Sequence, residues 1–176
     1  MLIGVDLCNT VTNINYELLQ RFNISLKQYP APEVPKDFFT SAEGLKLFLN
    51  ARPYTGAQEA LFRMAEEGYR VVYMTSRPKL AEFVTRKWLQ KHGFPAGSVE
   101  FIPGDEKATM ARDSGMVAFF DDDPTVIRGL IEKEIPVFVK AAPYNAALSS
   151  PNIVRFTDWK QMNSLNQIIK GVTSQC

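Results

Sequence analysis

Cysteine and histidine are scarce in this chain of 176 residues. The two cysteines, Cys8 and Cys176, lie at opposite ends, which argues against a disulfide framework and for a reducing, cytoplasmic setting. One histidine, His92, excludes a His-rich metal site and argues against a Ser-His-Asp triad. Long apolar runs are missing: none approaches the roughly 18 residues of a membrane span. The first residues run straight into a strand-like segment, without the basic and apolar regions of a signal peptide. An excess of one charge is also missing. Twenty basic residues face 19 acidic ones, a net charge of +1, so there is no field suited to a nucleic-acid polymer. What remains is 45% apolar and 22% charged, the balance of a globular chain long enough for one ordinary domain.

Hydrophobic patterning alternates between two periods. Residues 2–6 read as a buried strand. Residues 13–28 carry Leu18, Leu19, Phe22 and Ile24 at roughly helical spacing, and a second short helical piece spans Ser41–Leu49 after a Pro-rich link. From Pro53 the pattern is regular. Helices are expected at 57–67, 79–92, 106–113 and 124–133. Strands are expected at 69–75, 98–102, 116–121, 135–139 and 153–156, and a last helix from about Asp158 to Lys170. VVYM and VAFF are apolar on both faces, as in a parallel sheet covered on both sides. The expected architecture is a three-layer α/β domain with right-handed crossovers, formed by residues 1–12 and 53–176. Residues 13–52 interrupt the alternation and are expected to form a small helical cap over the carboxyl edge of the sheet, where such sheets bind ligands.

Polar residues collect at the strand ends on that edge. The first strand ends in Asp6, Cys8 and Thr10, the second in Thr75, Ser76 and Arg77, the fourth in Asp121, Asp122 and Asp123. Three neighbouring carboxylates repel one another, and burying them unpaired is costly. A divalent cation with hard oxygen ligands, Mg²⁺ by preference, would relieve that cost. The competing reading is a solvated loop whose aspartates cap the helix beginning near Pro124. Thr75 and Ser76 precede a helix and offer hydroxyl and N–H groups to an anion. Lys107 lies near the start of a helix and could reach the carboxylates, with Arg86 and Lys87 as alternatives.

The order Asp-x-x-x-Thr, Thr-Ser, Lys and Asp-Asp on successive strands resembles the haloacid dehalogenase (HAD) superfamily, and within it the 5'(3')-deoxyribonucleotidase group. VYMTSRP, GDEKATMA, FFDDDPTVIRG and the late FTDWKQM carry that resemblance. It implies a Rossmann-like parallel sheet with an inserted cap and phosphatase activity through an aspartyl-phosphate on Asp6. It also implies Mg²⁺ held by Asp6, Asp121, Asp122 and the main-chain carbonyl of Cys8. Thr75 and Lys107 would hold the transferring phosphoryl group, with Thr10, Ser76 and Arg77 as further substrate-binding candidates. The implied partner is a small phosphorylated substrate, a nucleoside monophosphate by subgroup. Tyr16, Phe22, Phe38 and Phe39 are aromatic candidates for a nucleoside-facing wall. The oligomeric state stays open, a homodimer included.

Cys8 departs from the pattern. Phosphatases of the superfamily place a second aspartate there, which protonates the leaving alkoxide and then activates water. In an extended segment residues i and i+2 share a face, so the thiol should point where that acid acts. General acid–base catalysis is typically worth roughly 10²–10⁴-fold, and a thiol is a poor substitute near neutrality. Three accounts follow: a slower or differently assisted phosphatase, a phosphate- or nucleotide-binding protein with little turnover, or a site gated by oxidation of Cys8.

Overall fold

A computed structural model describes residues 1–162, 164–166 and 169. Its strands are β1 (Leu2–Val5), β2 (Arg70–Thr75), β3 (Ser98–Phe101), β4 (Met116–Asp121), β5 (Val137–Lys140) and β6 (Ile153–Phe156). They form one sheet in the order β3-β2-β1-β4-β5-β6, with every pairing parallel. The helices are α1 (Ile14–Leu19), α2 (Ala42–Asn50), α3 (Ala57–Glu66), α4 (Glu82–Lys91), α5 (Gly104–Asp113) and α6 (Pro124–Glu132). No described helix is long and apolar enough to cross a membrane.

The strands are apolar on both faces because helices cover both. On one face Ile3, Val5, Tyr73 and Phe120 pack with Leu61 of α3 and Trp88 of α4. On the other, Met74, Phe119 and Val139 pack with Ala108 of α5 and Ile127 and Leu130 of α6. This is the expected three-layer α/β arrangement. The central strand carries Gly4 because a Cβ there would lie 2.3 Å from the Phe119 ring. The Phe119 ring therefore occupies the space that a side chain at position 4 would need.

The strand order reverses direction at β1. Its neighbours are β2 on one side and β4 on the other, so the β1–β4 seam is a topological switch point. Register aligns Val5 with Phe120, and the Asp6 N–H donates to the Phe120 carbonyl at 2.9 Å. Asp6 and Asp121 are therefore delivered side by side.

The segment after β1 differs from expectation in detail. Helix α1 stops at Leu19 instead of running to residue 28, and Leu26 adopts a positive φ of 54°. Apolar residues beyond α1 still pack inward, from loop. Ile24 joins Ile14, Leu18, Phe38, Leu47 and Phe48 in a cluster of their own, which also takes in Ala81. Helix α2 begins as expected. Ser41 accepts from the Gly44 N–H and donates to the Phe38 carbonyl, fastening the preceding turn to it. At the far end, Trp159–Gln161 form a short 3₁₀ turn rather than the start of the expected α-helix. Much of that expected helix, and Cys176, lie outside the described residues.

Candidate active site

The charged and polar residues of the candidate site sit at or just beyond the carboxyl end of a strand or near the start of a helix. Asp6 follows β1, and Asp121 closes β4. Lys107 lies in the first turn of α5, and Ser76 and Arg77 follow β2. Past β1 the chain turns sharply: the Val11 and Thr12 N–H groups both donate to the Leu7 carbonyl, and Asn9 takes a left-handed φ of 59°. Asparagine tolerates that conformation. Its side chain accepts the Asn15 N–H, which anchors the start of α1 to the turn.

Lys107 binds the centre together. It is fully buried, and its ammonium donates to Asp6 Oδ1 at 2.5 Å and to Asp121 Oδ2 at 3.0 Å. The other Asp121 oxygen accepts the N–H groups of Asp122 and Asp123 at 2.8 Å each. Asp122 is held differently. Its two oxygens accept neutral hydroxyls, from Thr10 at 2.9 Å and from Tyr144 at 2.5 Å. Asn145 fixes its carbonyl at 2.9 Å. Asp123 accepts from the Thr125 N–H and caps α6 ahead of Pro124. The capping reading of the triple aspartate therefore holds for Asp123 alone.

Three buried carboxylates lie together, the buried Lys107 ammonium bonds to only two of them, and their proton affinities show the imbalance. Burial raises the Asp6 carboxyl above its ordinary value, against the pull of Lys107. Burial also raises Asp121, to about 6, with Asp6 adding to the rise and Lys107 opposing it. Asp122 is pushed well above the usual carboxylate range, first by burial and then by Asp6 and Asp121. For Lys107 burial works downward, yet Asp121 and Asp6 outweigh it and hold the amine protonated. One oxygen from each of Asp6, Asp121 and Asp122 falls within 4.8 Å of the others. That donor set, hard, anionic and short of positive charge, fits a divalent cation such as Mg²⁺.

A cavity of about 600 Å³ opens over this centre. Asp6, Cys8, Lys107, Asp121, Ser76 and Arg77 form its floor, and residues from the segment after β1 form its roof, largely apolar. Leu7 is fully buried while Asp6 and Cys8 face the cavity, so the alternation expected of a strand persists beyond the end of β1. The Cys8 thiol accepts a hydrogen bond from Arg77 Nε at 3.2 Å. Burial pushes the thiol pKa up, Arg77 opposes the rise, and the Asp6 charge adds to it.

The remaining candidates divide. Thr75 is fully buried, is not part of the cavity wall, and accepts the Arg77 main-chain N–H at 3.3 Å. Thr10 stands behind the cavity and supports Asp122. Arg86 pairs with Glu82, and Lys87 lies over the Phe83 ring, so neither reaches the carboxylates. Of the four aromatic candidates, Phe39 lines the cavity and stacks on Phe48. Phe38 and Phe22 pack edge to face within their own cluster, and Tyr16 is exposed. Sequence reasoning missed Tyr144, Asn145 and Tyr29. The first two follow β5 in the short stretch PYN, at the same sheet edge, and that position was the available signal. Tyr29 and Tyr144 both line the cavity, their rings tilted by 39° with centroids 5.0 Å apart.

Comparison with known proteins bears on the fold. The chain superposes on a haloacid dehalogenase-like family hydrolase from Xanthomonas campestris with a TM-score of 0.62 at 12% identity. The match covers 99% of this chain and 96% of that one. The fold is therefore the one that haloacid dehalogenase-like hydrolases adopt. Two curated proteins that the chain resembles carry nucleotidase names. A protein of Bacillus cereus named "Putative nucleotidase" is 28% identical over 94% of this chain and 97% of its own length. A protein of the same description from Oceanobacillus iheyensis is 30% identical over 64% of this chain and 60% of its own length. Residues 38–122 also match the family model described as PITM 1-3, LNS2 domain.

Proposed function

We propose that the protein is a Mg²⁺-dependent phosphomonoesterase, with a nucleoside monophosphate as its substrate class and residues 13–52 as the cap that covers it. The single observation carrying this reading is Lys107, bonded to Asp6 and Asp121 on the floor of an open cavity.

Phosphoryl transfer asks for positioning and neutralisation of charge more than for elaborate covalent chemistry. Asp6 faces the cavity and supplies the carboxylate oxygen that attacks phosphorus. The ester P–O bond breaks, and the leaving alkoxide needs a proton. Lys107 spends two of its three N–H donors on Asp6 and Asp121, so one remains for a phosphoryl oxygen. Ser76 stands exposed on the cavity floor and offers a hydroxyl to the same group. Asp121 and Asp122, with Asp6 and the Cys8 carbonyl, would hold Mg²⁺. Bound there, the ion would neutralise phosphoryl charge and orient the group for in-line attack. Asp122 depends on Thr10 and Tyr144 for its orientation. Water then attacks the aspartyl-phosphate and regenerates Asp6. The roof excludes bulk water during the first step.

A second reading is favoured by one observation. Cys8 faces the cavity where an acid would serve the leaving group, and burial leaves its thiol a weak acid. On that reading the protein binds a nucleotide or phosphate with little turnover. Assay of p-nitrophenyl phosphate and a nucleoside-monophosphate panel with Mg²⁺ separates the two. Turnover abolished by Asp6→Asn supports the phosphomonoesterase. Calorimetric binding without turnover supports the binding protein. Turnover unaffected by Asp6→Asn refutes the nucleophile.

A further inference from the structure

Two of the cations that line the cavity, Lys107 and Arg77, are buried, and they are matched unequally. Lys107 meets two carboxylates. Arg77, at 5% exposure, makes no ion pair among the described residues. Its guanidinium is held rigidly. Nε donates to the Cys8 thiol, Nη1 donates to Thr85 Oγ1 at 3.1 Å, and the group lies 4.3 Å over the Phe48 ring. The remaining nitrogen, Nη2, is buried without a hydrogen-bond partner among the described residues. A fixed, desolvated cation with spare donors is costly unless something anionic completes it. Asp6 feels the Arg77 charge, but no carboxylate among the described residues pairs with the guanidinium. Phe48 and Phe39 on the adjoining roof offer no acceptor.

We infer that Arg77 receives a second anionic group on the ligand, carried beside the phosphoryl group, and that cysteine at position 8 is what leaves its charge available. An aspartate in place of Cys8 would stand against Nε as a counter-charge and neutralise the guanidinium from within. A thiol accepts the hydrogen bond and brings no such charge. The exchange that weakens acid–base chemistry thus opens an anion subsite on the leaving-group side of Asp6. The planar fork of arginine suits a carboxylate or a second phosphoryl group, both of which present paired anionic oxygens. The apolar roof suits the ligand's uncharged portion. This inference rests on the phosphoryl-site reading above.

Non-hydrolysable phosphonates test it without requiring turnover. Binding of propylphosphonate, carboxyethylphosphonate and propane bisphosphonate is measured by calorimetry in the presence of Mg²⁺. The two ligands with a second anion should bind roughly tenfold or more tighter than propylphosphonate, as a charge-assisted hydrogen bond would give. Carboxyethylphosphonate and the bisphosphonate show which source of anionic oxygens is preferred. Cys8→Ser should keep the advantage, whereas Cys8→Asp and Arg77→Met should remove most of it, with thermal melts confirming folded variants. Equal binding of all three ligands to the unaltered protein overturns the inference, and that comparison depends on no variant. An advantage that survives in Cys8→Asp overturns it, as does an equal weakening of all three ligands in Arg77→Met, which would assign Arg77 to the phosphoryl group itself. Failure of every phosphonate to bind overturns the phosphoryl-site reading along with it.

Discussion

Replacing Lys107 with methionine tests the charge balance on which the site depends. The substitution keeps most of the aliphatic stem and removes one ammonium from between Asp6 and Asp121, at 2.5 and 3.0 Å. Lys107 and Asp121 are both essentially sealed from solvent, so water cannot replace the lost partner. Removing one member of a buried ion pair costs about 3–5 kcal/mol near neutral pH. For a chain of this size that corresponds to a fall in Tm of roughly 6–20 °C. The cost should shrink as the pH falls toward about 5, because the orphaned carboxylates then take up protons instead of staying charged. Added Mg²⁺ should recover part of the loss for the same reason. The assay is thermal or urea unfolding of both proteins across pH, with and without Mg²⁺, beside turnover of p-nitrophenyl phosphate. A variant as stable as the parent at every pH would refute the reasoning, since Asp6 and Asp121 would then not depend on Lys107 for neutralisation.

Three other outcomes are expected. Burial and Asp6 raise the Asp121 pKa from 3.8 to about 6. The folded metal-free protein therefore keeps a proton that the unfolded chain has already released, so this group's contribution makes stability fall by about 3 kcal/mol as pH rises from about 4 to about 6. Mg²⁺ needs the ionised carboxylates, so its affinity should weaken below about pH 6 and its binding should release protons, read by calorimetry in buffers of different ionisation enthalpy. A pH-independent affinity would contradict this. Cys8→Asp should speed phosphomonoester turnover by roughly 10²-fold or more, because it restores a general acid on the leaving-group side. Slower turnover would mean that the thiol is not standing in for that acid. Gly44→Ala should cost about 1–3 kcal/mol in urea unfolding, because the added Cβ would lie 2.1 Å from the Phe38 carbonyl oxygen. Unchanged stability would show that the turn fastened by Ser41 can shift freely.

Much of the candidate site was legible before any coordinates. Asp6, Lys107, Asp121 and Asp122 stood out because each broke an apolar run or opened a helix, and the structure brings all four together. Where the reading was less complete, the cause was physical. Apolar residues at 13–28 mark burial, but Ile24 is buried from a loop, so helical spacing there did not mean a helix. Helix α5 starts at Gly104, two residues earlier than its apolar pattern suggested, because its first turn carries exposed Asp105 and Glu106, which leave no apolar mark in the sequence. Tyr144 and Asn145 were invisible because a tyrosine and an asparagine after a strand resemble any surface turn. Only their contacts with Asp122 give them a role.

By itself the sequence determined the layered α/β architecture, since hydrophobic period and two-sided burial are local properties that each strand and helix carries along its own length. It also determined the chemical types at the strand ends, including the cysteine where an aspartate would be expected. Tertiary structure alone decided which of those residues meet. The reversal of strand order at β1 sets Asp6 against Asp121, and Lys107 reaches both from a helix more than one hundred positions away from Asp6 along the chain. It alone separated Thr75, buried behind the site, from Ser76 and Arg77 on the cavity floor. It alone showed that Arg77 is buried beside Cys8 with no ion pair among the described residues, because the balance of charge in a desolvated site is a sum over neighbours that are remote in sequence.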